Sequence, residues 1–182
     1  MKKIRLILFV LLAVGQLLVP AGMIARWQHT LVHGDSFKFL TAPVDPYDAF
    51  RGRYVALKLD AETVDVPTNV EFRTRAVVYG TVSVDTNGFA SLTDLSTTKP
   101  DAPAIRCRIK YVDGGKAYLD LPIDRLYMNE KLAPEAEAAY RENSLQTNHV
   151  AYVTVRILDG DAVVEDLYIN DTPIREYLEQ RP

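Results

Sequence analysis

Apolar residues run nearly unbroken from Leu6 to Ala25, interrupted only by Gly15, Gln16, Pro20 and Gly22 and preceded by Lys2, Lys3 and Arg5. A helix of that length, at about 1.5 Å per residue, spans roughly 30 Å, the thickness of a bilayer's hydrocarbon core. Trp27 follows where an interfacial aromatic belongs, and the leading positive charges stay on the cytoplasmic side. The pattern predicts a cytoplasmic end at 1–5, a membrane anchor at 6–25 that contacts the lipid bilayer, a juxtamembrane linker at 26–34 and a translocated domain at 35–182. A cleaved leader is the other reading. Its one small-residue triplet, Ala13-Val14-Gly15, would leave Leu17 to Ala25 bare, so retention is expected.

From residue 35 onward the period becomes two, which places one face on a core and the other in solvent. Arg75 to Val84 and Phe89 to Leu95 flank Asn87-Gly88, a strong hairpin signal because both residues tolerate positive φ. Ile105, Cys107, Ile109 and Tyr111 alternate with Arg106, Arg108 and Lys110, then turn at Asp113-Gly114-Gly115 and return through Ala117, Leu119 and Leu121. Ala151, Val153, Val155 and Ile157 turn at Asp159-Gly160-Asp161 into an arm carrying Val163, Leu167 and Ile169. Two strands precede these, Phe37 to Thr41 and Arg53 to Asp60, the second with Val55, Leu57 and Leu59 on one face; Pro43-Val44-Asp45-Pro46 between them reads as a loop. A helix is predicted from Pro134 to about Asn143, with proline in its first turn and Glu135 and Glu137 at its positive end, and a helical turn near Thr172-Pro173. The expected fold is mainly β: an antiparallel sandwich or barrel of hairpins with one inserted helix behind an N-terminal transmembrane helix.

Composition narrows the function. The 182 residues are 48% hydrophobic, enough for one domain and a tail, and the formal charge of −3 argues against a nucleic-acid partner. With Lys2, Lys3 and Arg5 set apart from the 21 basic residues, the rest carries about −6 against 24 acidic side chains, so it should stand off an anionic bilayer. Single Cys107 excludes an internal disulfide and a cysteine zinc cluster, and its place between Ile105 and Ile109 predicts burial.

The string from Thr41 to Leu59, TAPVDPYDAFRGRYVALKL, resembles the GDYXXLXY family of bacterial membrane-anchored proteins, named for a Gly-Asp-Tyr-x-x-Leu-x-Tyr core after Pro-Val-Asp-Pro. Gly52, Tyr54 and Leu57 match, while Arg53 stands for the Asp and Leu59 for the final Tyr. Ile123 to Glu130 is similar to a second family segment, and the order of elements agrees over nearly the whole chain. The resemblance implies an exported domain tethered to the inner membrane by a single pass, and carries no established activity. Arg53 adds a chemical point: a permanently charged guanidinium cannot replace a catalytic or metal-binding carboxylate, so either this member lacks such an activity or the family's Asp is structural, which is the favoured reading.

Candidate chemistry is sparse. Asp45, Asp48, Asp60 and Glu130 are available carboxylates, although Asp45 before Pro46 is an ordinary turn former. If the two family-like segments adjoin, Arg51, Arg53, Arg125, Tyr54 and Tyr127 would hold an anion or a carboxylate, or an Arg125 bridge to Asp45 or Glu130 would pin the loop. The Arg106, Arg108 and Lys110 row reads first as a solvated face that Asp120 partly neutralises, with a phosphate or lipid-headgroup role beside it. His29 and His33 have helical metal-ligand spacing without a third ligand nearby. There is no G-x-S-x-G elbow, H-E-x-x-H, P-loop or G-x-G-x-x-G, and Ser36 lacks any nucleophile motif. The expected function is a non-catalytic interaction module for an integral membrane or envelope partner, with no cofactor and no metal. The alternative is an envelope hydrolase or anion sensor built on Asp45, Arg51, Tyr54, Arg125 and Glu130.

Overall fold

The computed structural model describes residues 2–42, 54–66, 72–144 and 150–180. The apolar segment forms α1 (Lys2–His33), 32 residues and about 48 Å long, with Pro20 inside it. It is long and apolar enough to cross a membrane, and the chain covers none of its apolar window. Helix continues through the segment read as a linker, because no breaker intervenes before Gly34.

After one residue, Gly34, the chain enters β1 (Asp35–Leu40), which pairs antiparallel with β9 (Ala151–Leu158). β9 continues through the turn at Asp159 (φ 55°) and Gly160 (φ 91°) into β10 (Asp161–Ile169). On its other side β1 pairs with β5 (Phe89–Ser96), and this pair is parallel. β4 (Val77–Val84), β6 (Ala104–Asp113), β7 (Lys116–Asp120), β3 (Thr63–Asp65) and β11 (Thr172–Pro173) complete a nine-stranded sheet in the order β11-β10-β9-β1-β5-β4-β6-β7-β3. β2 (Tyr54–Ala56) and β8 (Arg125–Tyr127) form a separate two-stranded ribbon. The protein is mainly β, as the alternation predicts, and the large sheet is mixed through its one parallel pair. The sheet curls until the Arg106 N–H donates to the Gly160 carbonyl (2.8 Å), yet β11 and β3 do not meet, so no barrel closes.

All three predicted hairpins form, with informative departures. In the first, only Gly88 takes positive φ (85°); Asn87 does not, because the loop begins at Asp85, whose Oδ1 accepts from Asn87 N (2.9 Å) and Phe89 N (2.8 Å). In the second, Ile105, Cys107 and Ile109 are buried but Tyr111 is half exposed. A bulge between Ile109 and Tyr111 turns it onto the outer face, where it stacks on Tyr118 at 4.3 Å. The strand expected from Arg53 to Asp60 pairs with β8 only as far as Ala56. The chain then changes partner: Leu57 N donates to Asp124 O (2.8 Å), Leu59 bridges Thr41, and Asp60–Glu62 make a 3-10 turn. Val55, Leu57 and Leu59 nevertheless all reach the core.

The core lies inside the curl and under the helices. Phe39, Ile105, Leu119, Val153, Leu167 and Ile169 are essentially inaccessible. α2 (Ala133–Ser144) has Ala136, Ala139 and Tyr140 buried, and the Tyr140 hydroxyl donates to Ala42 O (3.1 Å). α3 (Ile174–Glu179) adds Ile174, and its Tyr177 hydroxyl accepts from Asn143 Nδ2 of α2 (3.1 Å).

Candidate functional site

The two motif segments meet in the β2–β8 ribbon. Its register places Tyr54 opposite Tyr127, Val55 opposite Leu126 and Ala56 opposite Arg125. Val55 and Leu126 point to the core, and Ala56 is buried beside them, while Tyr54, Arg125 and Tyr127 lie on the outer side. Outside, the Tyr54 and Tyr127 rings lie 5.8 Å apart at 59°, and the Arg125 guanidinium sits 5.1 Å from the Tyr54 ring centroid. This is the geometry of a cation–π pair flanked by an aromatic contact. Asp124 bridges Arg125 at 3.3 Å. The Tyr127 hydroxyl, then Asp124 and Tyr54, hold the guanidinium above its already high ordinary pKa.

Among the described residues these three are neighbours, and Arg125 and Tyr127 line different hollows. Arg125 lines a shallow hollow of about 250 Å³ with Lys58, Glu62, Lys110 and Asp124. Tyr127 lines another of about 160 Å³ with Met128, Glu165, Asp166 and Arg175. Tyr127 itself is 63% exposed, so the arrangement is an open patch. Leu57 is a core residue, 6% exposed, and holds the ribbon against the body. Glu130 is exposed in the turn before α2. Asp45, Arg51 and Gly52 lie outside the described residues, as do Asp48 and Arg53.

The other candidates separate cleanly. Asp60 is exposed at the start of the 3-10 turn, where Glu62 Oε1 accepts from Leu59 N (3.2 Å). His33 Nδ1 lies 3.1 Å from His29 O, and among the described residues no three His, Cys, Asp or Glu gather as a metal site. Cys107 is buried, and that burial pushes its thiol up to about 11, so it is a neutral, unreactive group near neutral pH.

The structure also assembles a cleft that local sequence does not announce. It has a volume of about 350 Å³ and lies between the end of α1 and the start of β6, with Trp27, Arg106, Arg108, Asp120, Pro122 and Gly160 in its walls. Arg26 beside it makes a two-pronged ion pair with Asp161, its Nη2 reaching Oδ1 at 2.7 Å. The partners are 135 residues apart, so only the fold reveals them.

Helix, curled sheet and aromatic ribbon together define an apolar-helix-bearing β protein. The chain belongs to the GDYXXLXY protein family, whose model matches residues 16–167. No curated protein and no solved structure matches the chain.

Proposed function

We propose that this protein is a membrane-anchored, extracytoplasmic interaction module of the bacterial inner membrane that engages an integral membrane or envelope partner through the Tyr54–Arg125–Tyr127 patch and performs no chemistry of its own. The membrane assignment is supported by α1: Ile4, Leu8, Leu11, Leu18 and Ile24 are each more than half exposed, and hydrocarbon is the solvent that suits them. The orientation is supported by Lys2, Lys3 and Arg5 before the span, since flanking positive charges favour the cytoplasmic side.

The observation that carries the binding role is the open form of the motif patch. Catalysis needs reacting groups converging on a partly enclosed site, and of the described motif residues Arg125 and Tyr127 face outward over separate shallow hollows instead. Tyrosine and arginine are enriched at protein contacts and among their energetic hot spots, which suits this ribbon to a partner. Anchoring helps further, since confinement to the bilayer raises the effective concentration of an integral partner.

A photo-crosslinking residue at position 127, introduced in intact cells, is expected to capture one integral membrane protein. The same probe at exposed Thr98 should not, and Arg125→Ala should reduce the yield from position 127. Equal capture from both positions, or monomer alone under several chemistries, would overturn the patch as an interface.

A further inference from the structure

The cleft beside Trp27 has a defined height on the molecule. The apolar run of α1 ends at Ala25, and Arg26, Trp27 and Thr30 follow within the next helical turn and a half. The β9–β10 turn comes down to that level, because Asp161 clasps Arg26. Between helix and sheet there is only Gly34, whose N donates to Thr30 O (2.8 Å) and whose O accepts from Arg156 Nη1 (3.2 Å). An added Cβ there would lie 2.6 Å from Thr30 O and 3.0 Å from Ile157 N and O, so the joint is tightly packed. The domain is therefore held at a set angle to its helix. If the bilayer ends near Arg26, the cleft sits at headgroup level.

Its charges are arranged for an anion. Arg106 and Arg108 stand two apart on β6, so they share a face with roots about 7 Å apart. Both are exposed, and neither makes an ion pair or a side-chain hydrogen bond with a described residue. Of the two carboxylates in the lining, Asp161 is occupied by Arg26. Asp120 is opposite Arg108 in the strand register, with no ion pair joining them. Trp27, 54% exposed, forms the wall nearest the helix, and indole favours the boundary between headgroups and acyl chains. Two free guanidinium forks over an interfacial tryptophan suit a phosphodiester whose tails remain in the membrane.

We infer that this cleft binds the phosphate of an anionic phospholipid headgroup, with Arg106 and Arg108 as its ligands and Trp27 against the glycerol backbone. The inference rests on the membrane anchoring proposed above and adds a lipid preference to it. It also bears on the net negative charge of the domain: repulsion from an anionic surface is countered at one spot by a local pair of cations.

The test uses the full chain in phosphatidylcholine bilayers with and without phosphatidylglycerol. Flotation with vesicles of either composition comes first; a chain that floats with neither sinks the anchor and this site together. For a chain that floats, native mass spectrometry from mixed nanodiscs is expected to show retained phosphatidylglycerol in preference to phosphatidylcholine. The double variant R106Q/R108Q should lose that preference by about tenfold or more at an unchanged melting temperature, whereas K116Q/K131Q, with the same loss of charge elsewhere, should keep it. Equal retention of the two lipids by the parent chain, or an equal loss in both double variants, overturns the site while leaving the anchor standing. Trp27, the sole tryptophan, supplies the other arm. Inorganic phosphate added to the detergent-solubilised chain should leave its emission unchanged, and a saturable response that also displaces the lipid would show a free-phosphate site instead.

Discussion

Cys107 shows how one side chain couples burial to pH. Desolvation in the core raises its thiol to about 11 from an ordinary 9.0. The unfolded chain therefore releases this proton first as pH rises, so its contribution to stability is complete below about 9 and is lost on rising through 11. The loss should reach roughly 2 kcal/mol by pH 11. Buried Tyr140, also raised by desolvation, adds to the same alkaline trend. Urea midpoints measured between pH 8 and 11 should fall in the parent and fall less in Cys107→Ala; parallel curves would refute the assignment. Native protein at pH 8 should likewise resist thiol reagents until denaturant is added. Gly34 makes a steric point at the same scale: Gly34→Ala should cost about 1–3 kcal/mol, read from thermal melts, because the clashing atoms are backbone and have nowhere to go.

Among the elements, hairpin stability depends on what closes each turn. Asp85 serves the β4–β5 loop by accepting from two backbone N–H groups, so Asp85→Ala should destabilise by about 1 kcal/mol while Asn87→Ala, whose φ is ordinary, should cost less. Chemical denaturation of the two variants separates these outcomes. The β2–β8 ribbon has a different logic. It is only three residues a side, too short to stand alone, and it survives because Val55 and Leu126 insert into the core. Its outer side presents Tyr54, Arg125 and Tyr127, which contact one another.

Across the whole molecule the decisive contacts are distant in sequence. β1 sits in the middle of the sheet between β5 and β9, so strands from near the start and near the end of the chain close one core. A chain ending at residue 150 would lack β9 and β10 and leave β1, with Phe39, at an open sheet edge. It should lose cooperative thermal unfolding altogether, as followed by near-ultraviolet circular dichroism; a sharp transition would show that the remaining strands form an independent unit. The same topology predicts slow folding relative to chain length, since loop closure over more than a hundred residues precedes the β1–β9 pairing.

The long apolar helix, the three hairpins, buried Cys107 and the inserted helix were all legible from local pattern, because each depends on residues within a few positions of one another. So was the kinship of Thr41 to Leu59, which is carried by identity at Gly52, Tyr54 and Leu57. The outward turn of Tyr111 was not, since a bulge is set by the partner strand's register. The parallel β1–β5 pair, the meeting of Tyr54 with Arg125, and the Trp27–Arg106–Arg108 cleft were equally hidden. Each joins segments separated by dozens of residues, and their proximity follows from how the curled sheet packs rather than from any spacing along the chain.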